Sequence, residues 1–160
     1  VSAPGSVKES ITAEGLVALR AEIAELETEG RQAMAERIKA ARELGDLKEN
    51  AEYHIAKEDQ AHLETKILRL QERLRNAVEV EVDDDADSFA FGRTAEVLEE
   101  ATGKVHTWKI VGSTEANLIE GRLSAESPVG RALIDAAVGK AVRVQTPGGA
   151  KTYKVQKLVD

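Results

Sequence analysis

The chain has 160 residues, 22 basic and 29 acidic, for a formal net charge of −7. Without cysteine it forms no disulfide, thiol nucleophile or cysteine-ligated zinc site, and an acidic total argues against free DNA or RNA as a tight partner. Aromatics supply only 3% of residues and charged groups 32%, a composition of long helices rather than of one large core.

Residues 1–10 read as a tail. From there to residue 75 no proline interrupts the chain. Leu16, Leu19, Ile23 and Leu26 form a helical stripe that continues less cleanly through Ala33, Met34, Ile38 and Ala41. Leu63, Ile67, Leu70, Leu74 and Ala77 step by four and three alternately, as a coiled-coil seam does. Between the two runs Gly45 suits the left-handed end of a helix. Asp46 and Glu49 then have the spacing of a capping box for the next helix. The prediction is an antiparallel two-helix hairpin over 1–76, with its tip near 44–50.

Residues 76–88 carry six acidic groups and no basic one, so 77–88 reads as a solvated linker. Residues 89–160 form a small α+β domain. Thr94–Glu99 and Val105–Val111 alternate as a hairpin across 101–104, and Leu123–Glu126 is a further strand. Ser127-Pro128 caps a helix that runs from Val129 to its end at Gly139. Ala141–Thr146 and Lys151–Val159 close a last hairpin over Pro147-Gly148-Gly149. Trp108 belongs to the core of this domain, whereas His62 and His106 have no evident partners. Apolar runs too short to span a bilayer and the lack of a basic-then-apolar leader give the expectation of a soluble, cytoplasmic protein without a membrane partner.

The turn gathers Glu43, Asp46, Glu49 and Glu52, all ionised at neutral pH, among Arg42, Lys48 and Lys57. Asp46 and Glu49 read as a cap, and a lone D-x-x-E is a weak metal signal. Two exposed carboxylates do not hold magnesium alone, because that ion keeps its waters until several ligands converge. One other reading makes sense of an acidic turn at the end of a long hairpin. The pair is carried into another protein's site, where it completes a two-metal centre for phosphodiester cleavage.

The run Arg42-Glu43-Leu44-Gly45-Asp46-Leu47-Lys48-Glu49-Asn50-Ala51-Glu52-Tyr53-His54 resembles the coiled-coil tip of bacterial transcript cleavage factors of the GreA/GreB family, and its wording is nearer to GreA. The resemblance extends through Phe91-Gly92, Ile110-Val111-Gly112, Ser127-Pro128-Val129-Gly130-Arg131-Ala132-Leu133 and Thr146-Pro147-Gly148-Gly149, over residues 11–160. It implies a transcription elongation factor whose tip enters the secondary channel of RNA polymerase. There it stimulates the polymerase's own cleavage of backtracked RNA, so that the factor is an activator and not itself an enzyme. Asp46 and Glu49 match the tip acids that help hold the second magnesium ion, shared with the polymerase and absent as a cofactor from the free protein. Arg42 and Lys57 match positions that steer the nascent RNA 3′ end; ordinary helix solubility explains them equally well. The domain at 89–160 is expected to be FKBP-like and to dock on polymerase, with Ser127 and Pro128 in the docking loop. The chain departs from many members at Glu29-Gly30-Arg31, where they carry proline, and in its more acidic linker.

Three other readings compete. A non-cleaving regulator on the same scaffold would block the channel, but the intact Asp46/Glu49 pair weighs against it. A prolyl isomerase or chaperone would need an aromatic-lined pocket, for which aromatics are scarce. A bare structural coiled coil would leave the acidic turn without a purpose.

Overall fold

In the computed structural model, which describes residues 8–160, Leu16, Leu19 and Ile23 of the stripe lie on α1 (Ala13–Glu25), with Leu26 just beyond it. It passes through a π-helical turn (Leu26–Gly30) into α2 (Arg31–Arg42). The turn has a cause in the sequence. Inward positions run 19, 23, 26, 30, 34, 38 and 41, so three steps of four follow one another where a regular seam alternates three and four. A π turn, with its longer hydrogen-bonded ring, absorbs the extra residue and returns Ile38 and Ala41 to the interior. The stripe therefore runs through Gly30 and Met34, and Ala33 faces solvent.

The returning helix α3 (Ala51–Asn76) buries Ala56, Ile67 and Leu70. At 1.5 Å per residue its 26 residues span roughly 40 Å. Arg31 grips Glu64 through two bonds of 2.9 and 3.1 Å, and Arg37 meets Asp59 at 2.7 Å. These pairs are exposed, worth about 0–1 kcal/mol each, and they set register more than stability. Leu16–Asn76 forms one compact unit; the segment up to Gly15 together with Ala77–Asp160 forms the other.

In the second unit β1 (Glu9–Ile11) and β2 (Ala77–Glu79) pair in parallel, with Glu9 opposite Ala77 and Ile11 opposite Glu79. Two expectations change here. The described part of the expected tail holds a strand; residues 1–7 lie outside the described residues. The expected linker begins with a strand, and Ala77 leaves the seam to join it. The acidic stretch is also tied down beyond β2. The buried Arg93 guanidinium donates to the carbonyls of Asp83 (3.0 Å) and Ala86 (2.9 Å), offsetting the repulsion that pattern alone suggests.

The main sheet contains β3 (Thr94–Glu99), β4 (Lys104–Val111), β5 (Arg122–Ser124), β6 (Ala141–Thr146) and β7 (Gly149–Leu158), in the order β5-β4-β3-β7-β6. Only the β4–β5 pair is parallel. Phe89, Val97, Ile110, Leu133 and Val155 are fully buried in its core, with Trp108 beside them as expected. A short helix, α4 (Pro128–Leu133), supplies Leu133. It stops six residues before the expected Gly139. The reason is a competing set of bonds: the Asp135 N–H donates to the Phe89 carbonyl and the Phe89 N–H to the Ala136 carbonyl, while Asp135 takes a left-handed φ of 62°.

His62 and His106 both do have partners: His62 Nε2 lies 3.7 Å from a Glu58 oxygen one turn earlier on α3, and His106 meets Glu99. The His106 Nε2 lies 3.2 Å from an oxygen of Glu99, its ring stacks on Trp108 at 4.4 Å, and Lys151 Nζ approaches the other Glu99 oxygen at 3.4 Å. The bond with His106 holds the Glu99 carboxyl below its ordinary range, against the opposing effect of burial and with help from Lys151.

Candidate functional site

The tip begins where α2 ends at Arg42. Gly45 adopts a φ of 124°, a region that side-chain-bearing residues rarely enter, and turns the chain back. Residues 46–49 then form one turn. The Glu49 N–H donates to the Asp46 carbonyl (3.2 Å), and the Lys48 N–H to Asp46 Oδ1 (3.0 Å).

Neither acid caps α3, contrary to the capping-box expectation. Asn50 is the cap: its Oδ1 accepts the Tyr53 N–H at 3.0 Å, and its Nδ2 donates to the Ala41 carbonyl. One side chain thus satisfies a donor at the start of α3 and an acceptor at the end of α2. Asp46, four residues earlier, reaches only its own turn. Asn ranks with Asp and Ser as an N-cap, but the D-x-x-E spacing concealed it.

Freed of capping, Asp46 and Glu49 stand three residues apart in a single turn, both exposed. The Glu49 carboxylate has no hydrogen-bond or ion-pair partner among the described residues, and that of Asp46 only its local N–H. Among the described residues no group of three or more His, Asp or Glu side chains could hold a metal. Two carboxylates alone fall short of the several ligands that a tightly held divalent cation needs.

The two basic candidates flank the tip. Arg42 sits over the Tyr53 ring, 5.7 Å from its centroid, which spends part of its charge on packing. Lys57 is exposed and bonds Gln60 at 2.9 Å. Tyr53 is half-buried tip packing, and His54 is on the surface.

Ser127 and Pro128 lie in the other unit. Ser127 Oγ accepts the Gly130 N–H (3.0 Å) and donates to the Ser124 carbonyl (2.7 Å), while Pro128 opens α4 and is exposed. Both have a complete structural explanation as a helix start, and Pro128 also presents an accessible surface.

Residues 9–78 match the family described as "Transcription elongation factor, N-terminal", and residues 84–159 that described as "Transcription elongation factor, GreA/GreB, C-term". The chain belongs to the GreA/GreB family. Two GreA proteins show the same relationship along nearly their whole length. That of Rhodopseudomonas palustris BisA53 is 42% identical over 94% of this chain and 95% of its own. That of Nautilia profundicola is 43% identical over 94% of each. Among solved structures, the GreA factor homolog Gfh1 of Thermus thermophilus covers 96% of this chain and 99% of its own, at 23% identity and a TM-score of 0.42. Within this GreA/GreB chain, no helix of the described residues is long and apolar enough to cross a membrane.

Proposed function

We propose that this GreA/GreB-family chain inserts its hairpin tip into the secondary channel of RNA polymerase and stimulates the polymerase's own cleavage of backtracked transcripts. One observation carries the reading: two exposed carboxylates, relieved of any capping duty, share one turn at the end of a helical hairpin.

Asp46 and Glu49 would hold the second magnesium ion together with the polymerase's own ligands. When bound, that ion activates a water molecule and stabilises the leaving oxygen of the RNA. The Asn50 bridge keeps the tip turn in place between α2 and α3, so that both carboxylates arrive in a set geometry. Arg42 and Lys57 are the cations nearest the acids in sequence on either flank, suited to orienting the RNA phosphates. The unit holding the five-stranded sheet fits an FKBP-like docking module for the channel entrance, with Ser127 and Pro128 at the contact. We assign the hairpin to the channel and the sheet unit to the polymerase surface.

The test is to add the full chain to a stalled, backtracked polymerase complex and follow RNA length. Shortened transcripts that can be extended again are expected. Competitive binding without shortening would instead identify a channel blocker.

A further inference from the structure

Behind the tip, between α2 and α3, lies a groove of about 470 Å3 lined by Arg37, Ala40, Ala41, Leu44, Glu52 and Ile55. Leu44 is 66% exposed and Ile55 51%, and nearby Leu47 is 42% exposed. Scattered surface aliphatics are ordinary. Three within twelve residues, two of them bordering one groove, make a patch of the kind that marks an interaction surface. The fully buried seam residues at this level are small, Ala41 and Ala56.

The charges at the groove are unequal. Arg37 is neutralised by Asp59 at 2.7 Å, whereas Glu52 has no ion-pair partner among the described residues. The groove is therefore apolar with a net negative edge. It is also continuous with the tip, since Leu44 is followed directly by Gly45 and Asp46. A surface that receives Asp46 and Glu49 must pass close to Leu44.

We propose that this groove is a docking slot for a bulky apolar side chain on the wall of the polymerase channel, with a basic group beside it facing Glu52. The inference rests on the polymerase reading above and adds to it a holding site separate from the two acids. Docking here sets how tightly the tip is held, and Asp46 and Glu49 set how fast the bound complex reacts.

The experiment compares full-length wild type with Ile55→Gln and Leu44→Gln, both exposed and neither a partner in the hydrogen bonds of the two acids. Leu68→Gln serves as a control at an equally exposed position on α3 outside the groove (65% exposed). Two quantities are read: cleavage rate against factor concentration on a backtracked complex, and binding of fluorescently labelled factor to polymerase. Each groove variant is expected to raise the half-saturating concentration about tenfold and to leave the plateau rate unchanged, with the control like wild type. Unchanged half-saturation for both variants overturns the slot. So does a lowered plateau without a shift, or a variant that alters only self-association of the free chain. Wild type that binds without cleaving defeats the cleavage reading, while the slot stands if the groove variants then bind about tenfold more weakly. Wild type that does not bind polymerase overturns both.

Discussion

The side chain of Asn50 bonds the carbonyl of Ala41, and through this contact the end of α2 is fastened to the start of α3. The same amide caps α3 through the Tyr53 N–H. Replacing Asn50 with Ala removes the α3 cap and one of the two bonds on the Ala41 carbonyl, which keeps the Leu44 N–H, for an expected loss of about 1 kcal/mol in urea unfolding. Asn50→Asp keeps the acceptor and loses the donor, so its loss should fall between wild type and Ala. Equal stability of all three proteins would show that the bridge contributes nothing.

Asp46 and Glu49 offer the complementary case. Because neither caps α3, Asp46→Asn and Glu49→Gln should leave unfolding within about ±0.5 kcal/mol of wild type. Asn at position 46 can still accept the Lys48 N–H. Stimulated RNA cleavage should nevertheless fall by about tenfold to a hundredfold for each. A variant that cleaves normally would remove its residue from the proposed metal set.

Long, periodic elements were legible in the sequence, and short, distant ones were not. The alternation of Thr94–Glu99 and of Val105–Val111 is visible locally, and so is the Gly45 reversal. Glu9–Ile11 and Ala77–Glu79 are three-residue strands whose partners lie on opposite sides of the hairpin, so no local pattern announces them. The start of α4 is written in Ser127-Pro128, but its end is decided by Phe89, far away in the chain. At the tip the acids were found by composition, while their freedom from capping depended on Asn50 reaching Ala41. The apolar groove needed both helices at once, since Ala40, Ala41 and Leu44 meet Ile55 only across the hairpin.

The π turn makes a prediction about stability. Gly30 has a helical φ of −63°, and a methyl group there would meet Leu26 Cδ2 at 3.6 Å and Leu63 Cδ1 at 3.7 Å, ordinary contact distances. Nothing in the backbone requires glycine. Gly30→Ala should therefore stabilise the hairpin by about 0.5–1 kcal/mol, from the lower entropy of the unfolded chain and a better-filled seam. Thermal unfolding followed by helix signal checks this. A lower midpoint would mean that the π turn needs a slimmer residue than the contacts indicate.

The last prediction concerns acid. Glu99 is held below its ordinary range by the His106 bond first, with Lys151 assisting against burial. A carboxylate depressed in the folded state stabilises above its unfolded value, roughly pH 4.3, and that contribution fades as pH falls through the folded value. Wild type should then exceed Glu99→Gln in urea midpoint at neutral pH, and the two curves should converge as pH falls below the ordinary carboxylate range. His106→Phe separates the causes, because it can keep the ring stacked on Trp108 while removing the bond to Glu99. It should bring acid unfolding to higher pH than in wild type without abolishing the Lys151 contribution. A gap between wild type and Glu99→Gln that stays constant from neutral to strongly acidic pH would show that Glu99 acts by packing and not by charge.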